Sequence, residues 1–275
     1  MNERIKLPMR HLWSMRIKQG PSRRADGRRR WLRPRWVAAV IGGVAVAVTA
    51  FLFVDSGSAP AGPRALSSDE ANRLAVTRFR NYQAGGRSVT INVPGTAGGL
   101  TITGSIDYRG KVGYGVVRGT GRDTSSDGLI EWSATTVSVH PMANPPEKAP
   151  ARPPESGWYS RPLQKYGSSL DSSLAIALKL GNDRPDNAEL LPQNGAAWAG
   201  EDRLDGREVD IMTGPSARTK SGTTGEGAVR YWIGSDGTMY RVRVAVASAS
   251  QPVVIDFDTQ KYVPVRPVPG VTPAR

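Results

Sequence analysis

In residues 100–108, every even position is apolar or glycine (Leu100, Ile102, Gly104, Ile106, Tyr108) and every odd one is polar (Thr101, Thr103, Ser105, Asp107). A period of two sends successive side chains to opposite faces, so the segment reads as a strand with one face buried and one wet. The same alternation returns in Val89/Ile91/Val93, Val112/Tyr114/Val116 and Ile130/Trp132/Ala134, with a turn at Tyr108-Arg109-Gly110-Lys111. Four such runs predict an antiparallel meander. A second set predicts five more strands: residues 196–200, Val209/Ile211, Val229/Tyr231/Ile233, Tyr240/Val242/Val244/Val246 and Val253/Ile255/Phe257, with a tight hairpin at Ser235-Asp236-Gly237. Arg230, Arg241, Arg243, Asp256 and Asp258 occupy the alternate positions, which makes this sheet wet on one side as well.

Helical signals are fewer. Ser67 or Ser68 caps a helix whose first turn holds Asp69 and Glu70 and whose stripe is Ala71, Leu74, Ala75, Phe79 and Tyr82, ending at Gly85-Gly86. Leu170, Leu174, Ala177 and Leu178 make a second stripe over residues 168–180, and Pro185 opens a shorter helix through Leu191. Six prolines in residues 141–157 predict an irregular loop, and residues 214–226 and 263–275 are expected to be mobile or disordered.

Ahead of all this stands an uncharged apolar run, residues 36–54, whose nineteen positions cover roughly 28 Å as a helix, near the ~30 Å hydrocarbon core of a bilayer. Residues 1–35 carry twelve Lys or Arg against Glu3 and Asp26, which accounts for +10 of the chain's +13. The positive-inside bias places this basic tail in the cytoplasm and the remainder outside, at a single-pass cell-membrane address. Arginines pressed against a membrane attract anionic lipid at about 1 kcal/mol per charge. No helix-turn-helix, zinc-ligand or aromatic-basic platform accompanies the charge, which sets nucleic acid aside as a partner. Ala59-Pro60-Ala61 and a twin-arginine-like stretch at residues 27–33 suggest a cleavable export signal, but the long basic region and the length of the apolar run favour a permanent signal-anchor. Residues 4–18 read as a short interfacial helix, as a disordered basic leader, or as a stretch ahead of a true start at Met9 or Met15. The boundaries that follow are a tail (1–35), a transmembrane helix (36–54), a stalk (55–66), an ectodomain (67–262) and a proline-rich end (263–275).

On two stretches the ectodomain resembles the LppX/LprG-type envelope lipoproteins, relatives of the LolA/LolB carriers. One is residues 197–211, a strand, a Gly-Glu-Asp, an Asp-Gly turn and a strand; the other is Tyr231-Trp232-Ile233-Gly234-Ser235-Asp236-Gly237. The resemblance implies an α+β fold, a curved antiparallel half-barrel with helices on its concave face and an apolar cavity between them, here behind a single N-terminal transmembrane helix. It also implies an acylated lipid or a lipoprotein as ligand. The family's lipobox cysteine is missing, since the chain contains no cysteine, and the apolar helix would stand in for the lipid anchor.

Tyr114, Trp132, Tyr231 and Tyr240 point to the apolar sides of their strands, and with Leu174 and Leu178 they are the candidate lining of such a cavity; a solid core is the competing reading. Catalysis finds little support in the residues. His140 is the one histidine beyond the apolar run, Gly-x-Ser-x-Gly is absent, and Gly113-Tyr114-Gly115 lacks the helix a phosphate loop requires. Asp256 and Asp258 share a strand face, but Arg241 and Arg243 on a neighbouring strand would neutralise them. Without a thiolate or histidine cluster no metal or cofactor is expected. The expected function is a non-enzymatic, membrane-tethered extracytoplasmic protein that binds an acyl ligand; the alternative is an envelope sensor or protein-interaction module without one.

Overall fold

The computed structural model describes residues 62–95, 98–121, 124–164, 168–215 and 229–269. The basic tail, the apolar run 36–54, residues 55–61 of the stalk and residues 216–228 and 270–275 lie outside the described residues.

The first helix, α1 (Ser68–Gln83), begins as its sequence demands. Ser67 Oγ accepts the Glu70 N–H at 3.3 Å while Glu70 Oε2 accepts the Ser67 N–H at 2.8 Å, a reciprocal capping box. Ala71, Leu74 and Ala75 are buried, whereas Phe79 and Tyr82 are only half-buried. The helix stops at Gln83, followed by Gly85 with φ +81°, a left-handed conformation that glycine adopts without strain. Ahead of α1, β1 (Arg64–Ala65) is a two-residue strand.

Six strands follow α1: β2 (Gly86–Val93), β3 (Leu100–Asp107), β4 (Val112–Gly119), β5 (Gly128–Ser133), β6 (Thr136–Pro141) and β7 (Tyr159–Pro162). Then come α2 (Ser169–Leu178) and the single turn α3 (Leu190–Gln193). The last five strands are β8 (Ala197–Leu204), β9 (Arg207–Thr213), β10 (Val229–Ile233), β11 (Met239–Val244) and β12 (Val253–Phe257). All twelve belong to one antiparallel sheet in the order β1-β8-β9-β10-β11-β12-β2-β3-β4-β5-β6-β7. The two meanders are one because β12 pairs with β2, placing Ile255 opposite Ile91 and Phe257 opposite Val89.

This overturns the expected α+β half-barrel; the transmembrane helix expected at residues 36–54 lies outside the described residues. The described residues are mostly a single twelve-stranded antiparallel sheet with few helices, and among them no helix is long and apolar enough to cross a membrane. Two physical causes separate expectation from structure. Three further strands complete the sheet: β1 and β7, of two and four residues, are too short to show an alternation, and β6 alternates only over Thr136–His140; a neighbour's hydrogen bonds hold them, with Ser138 paired to Ser160 and Val139 to Tyr159. The helix expected from Pro185 shrinks to α3, because Asn187 turns the chain by accepting the Glu189 N–H at 2.9 Å with its side chain.

The sheet buries both faces along much of its length. On the helix side Val89, Ile91, Ile102, Ile106, Ile130, Trp132, Val137, Val242 and Ile255 form the main core with Leu174 and Ala177 of α2. Trp132 lies over Gly113, where a Cβ would sit 2.1 Å from the indole ring; only glycine admits that approach. A smaller cluster under α1 joins Leu74, Ala75, Leu191, Ala196, Met212 and Ile233. On the opposite side Tyr114, Val116 and Leu129 are covered by Met142, Ala149, Trp158 and Val265. The proline-rich loop and the C-terminal segment thus lie across the face of Ser105 and Glu131, which alternation assigns to water, and β4 turns Tyr114 and Val116 to that face and Val117 to the main core, the reverse of their expected placement. Val268, read from the sequence as part of a disordered end, is only 2% exposed.

Candidate functional site

The six residues read as a cavity lining do not meet at one place. Trp132 and Leu174 are fully buried in the main core, with Leu178 half-buried against it. Tyr231 spans the main core and the cluster under α1. Tyr114 faces the other side of the sheet, within the cluster under the proline-rich loop. Tyr240 is displaced by a bulge: Ile233 opposes Met239 and Trp232 opposes Arg241, leaving Tyr240 between register positions, half-buried under the Arg207 guanidinium at 5.3 Å. Met239, fully buried, takes the inward place that strict alternation would have assigned to Tyr240.

Tyr231 forms part of the wall of a cleft of about 390 Å³ between α1, α3 and β10. Leu74, Leu190, Leu191 and Pro215 supply its apolar walls; Thr77, Arg78, Asp186, Asn187 and Asn194 supply its polar ones. That volume falls within the ~300–1,000 Å³ of ordinary ligand sites, and the mix of apolar wall and few polar groups is typical of them. Local geometry builds the cleft. Asn182 N–H donates to Arg78 O at 3.1 Å and Asp186 N–H to Ala75 O at 2.9 Å, stitching the loop before α3 along the side of α1. Arg78 Nε donates to Asp186 Oδ2 at 3.0 Å and a second guanidinium nitrogen bonds the other oxygen, a two-point pair. The hydrogen bond it donates to Asp186 raises the Arg78 pKa, so the guanidinium is charged at any ordinary pH. Burial likewise raises the Tyr231 pKa, which keeps its hydroxyl neutral. Leu190 stands 48% exposed at this edge, an uncommon position for a large apolar side chain.

A second cavity, of about 230 Å³, lies on the opposite face of the sheet between the proline-rich loop and the C-terminal segment. Its floor includes Gly104, Ser105 and Tyr114; Lys148, Ala149, Pro150 and Ala151 form one side, and Gln260, Lys261, Val263 and Pro264 the other. Hydrogen bonds hold the C-terminal side down: Val263 N–H to Ser105 Oγ at 3.1 Å, Gln260 Nε2 to Gly104 O at 3.2 Å and Val268 N–H to Glu131 Oε2 at 2.9 Å. The Tyr114 hydroxyl is buried without a hydrogen-bond partner, and burial pushes its pKa up to about 12.

The remaining polar candidates are engaged elsewhere. His140 Nδ1 bonds Gly157 O at 3.0 Å and its ring leans on Trp158 at 5.3 Å. Asp256 accepts from Arg241 Nε at 2.5 Å, whereas Asp258 turns away at φ 56° and pairs with Arg87, so the two carboxylates do not share a site. Among the described residues, no group of three or more His, Cys, Asp or Glu is placed to hold a metal ion. No known family matches the chain, and neither does any curated protein.

Alternation in the sequence pointed to Tyr114 and Tyr231, the two candidates that line cavities. It missed Leu190, Asn194, Lys148 and Lys261, which lie in a turn and in irregular segments where no periodicity exists to mark an inward position.

Proposed function

We propose that this chain is a non-enzymatic binding protein, held at the outer side of a membrane by residues 36–54, that takes the apolar chain of an acylated lipid or lipoprotein into the cleft between α1, α3 and β10. The observation that carries the reading is that cleft: about 390 Å³, walled by Leu74, Leu190, Leu191 and Tyr231, with an exposed leucine at its edge. Burial of an acyl chain contributes about 0.8 kcal/mol per CH₂, enough to drive binding without a catalytic group. Hydropathy and charge of the first 54 residues support the tether and the anionic lipid under it.

Dense packing of Trp132 and Leu174 beneath α2 favours the second reading, an envelope sensor or protein-interaction module with no lipid ligand. The two separate by experiment. Full-length protein in lipid nanodiscs, titrated with spin-labelled palmitate, is expected to bind it saturably, and Leu190→Asp is expected to weaken binding at least tenfold. Absence of saturable binding in the unsubstituted chain would leave the sensor or interaction module as the surviving reading.

A further inference from the structure

Apart from the cleft under α1, we propose that the 230 Å³ cavity on the opposite face is a site for a small carboxylate with an apolar body. The space is worth about eight waters of liquid volume, which admits an aromatic or short-chain acid and no full acyl chain. Two cations from separate segments, Lys148 and Lys261, line this one small cavity, and neither has an ion-pair partner among the described residues. Like charges gathered on one cavity repel, and an anion between them converts that repulsion into attraction. Pro150, Val263 and Pro264 give the apolar wall.

An independent observation points to the same ligand. Tyr114 lines the cavity, is 6% exposed, and has a buried hydroxyl with no partner. Native structures seldom leave such a group unpaired, because burying a hydroxyl without a hydrogen bond is costly. A phenol this hard to ionise acts as a donor, so what it lacks is an acceptor, and a carboxylate oxygen is a strong one. Glu131 sits opposite Tyr114 on β5 and accepts the Val268 N–H at Oε2; it does not line the cavity and makes no hydrogen bond to the Tyr114 hydroxyl, whose pKa its charge raises further. The Tyr114 proton and the two lysines therefore select for negative charge, and the prolines and Val263 select for an apolar remainder.

Benzoate is a suitable probe, with benzyl alcohol as its neutral counterpart of similar size. Full-length protein in nanodiscs of zwitterionic lipid, followed by saturation-transfer NMR and thermal unfolding, is expected to bind benzoate one to one and benzyl alcohol at least tenfold more weakly. The double variant Lys148→Ala, Lys261→Ala is expected to bind benzoate at least tenfold more weakly; both lysines are exposed, so the fold does not depend on them. Tyr114→Phe is expected to unfold at a higher temperature than the parent without ligand, yet to bind benzoate at least threefold more weakly. Leu190→Asp is expected to leave benzoate binding unchanged, which separates this site from the acyl cleft. Equal binding of benzyl alcohol, undiminished benzoate binding in the double-lysine variant, or absence of saturable benzoate binding would each overturn the proposal.

Discussion

The two faces of the sheet are closed by different physical means. On one side a helix, α2, lays Leu174 and Ala177 onto Ile91, Ile130, Trp132 and Ile255, and the contact is apolar and fully dehydrated. On the other, two proline-containing segments without regular structure cross over Tyr114, Val116 and Leu129; the C-terminal one is tied down by single hydrogen bonds to Ser105, Gly104 and Glu131, and the proline-rich loop by bonds such as Arg118 to Pro145 O and His140 to Gly157 O. A helix satisfies its own backbone and can press a continuous apolar stripe into a sheet. An irregular segment must find a partner for each buried backbone group, and gaps remain between its attachments. The helix face is accordingly tightly packed against α2, while the cavity with its two lysines lies on the other.

Truncation of the helix contact should produce the largest effect. Leu174→Ala is expected to destabilise by about 2–5 kcal/mol, whereas Val268→Ala, equally buried but on the irregular face, should cost about 1 kcal/mol, both read from urea unfolding. Equal losses would show that the two faces are energetically alike. Next comes Asp171→Ala at the start of α2, expected to cost about 1–3 kcal/mol. The Asp171 side chain is fully buried and accepts two bonds of 2.6 Å from the 41%-exposed Arg161 and one of 2.7 Å from the Gln164 N–H, all of which are lost. Gly113→Ala should cost about 1–3 kcal/mol by pushing the added methyl into the Trp132 ring; a cost near zero would mean the indole is free to move.

The smallest effect, and the sharpest contrast, is in pH dependence. Burial alone would raise the Asp171 pKa, but the bonds from Arg161 and Gln164 outweigh it and hold it below the ordinary range; Glu70, bonded to Arg64, is lowered to about 2. Stability from these two is fully present above pH ~4 and is lost as pH falls through their folded values. Glu131 behaves oppositely: burial raises its pKa, against the Val268 N–H that lowers it, so its ionisation weakens the folded state as pH rises from ~4 toward the raised value. Glu131→Gln is expected to remove a decline in melting temperature on the alkaline side of pH ~4, and Glu70→Gln a decline on the acid side. Matching profiles for the two variants would erase the distinction between the faces.

Local signals were legible where they are short-range. The Ser67 cap, the α1 stripe down to Ala75, the Gly85 stop and the Asp236-Gly237 hairpin are written in spacings of a few residues, and each is where those spacings put it. The Arg241–Asp256 pair was readable too, because both lie on adjoining strands at matching polar positions. Tyr240 was not, since the β11 bulge that displaces it is a property of two strands in register. Nor were Lys148 and Lys261, because what brings them to one cavity is the passage of two irregular segments over a sheet built from residues far from either.

Alternation, capping and charge by themselves determined that this chain makes amphipathic strands, a capped first helix and a basic, apolar leading segment, because each depends on neighbours within one or two turns of chain. Tertiary structure alone decided that the strands form one sheet rather than two, through Ile255 on Ile91. It also decided that the second face is covered, and that Tyr114 and Tyr231 line separate cavities on opposite sides. Those outcomes rest on contacts between residues more than a hundred positions apart, whose energies no local period records.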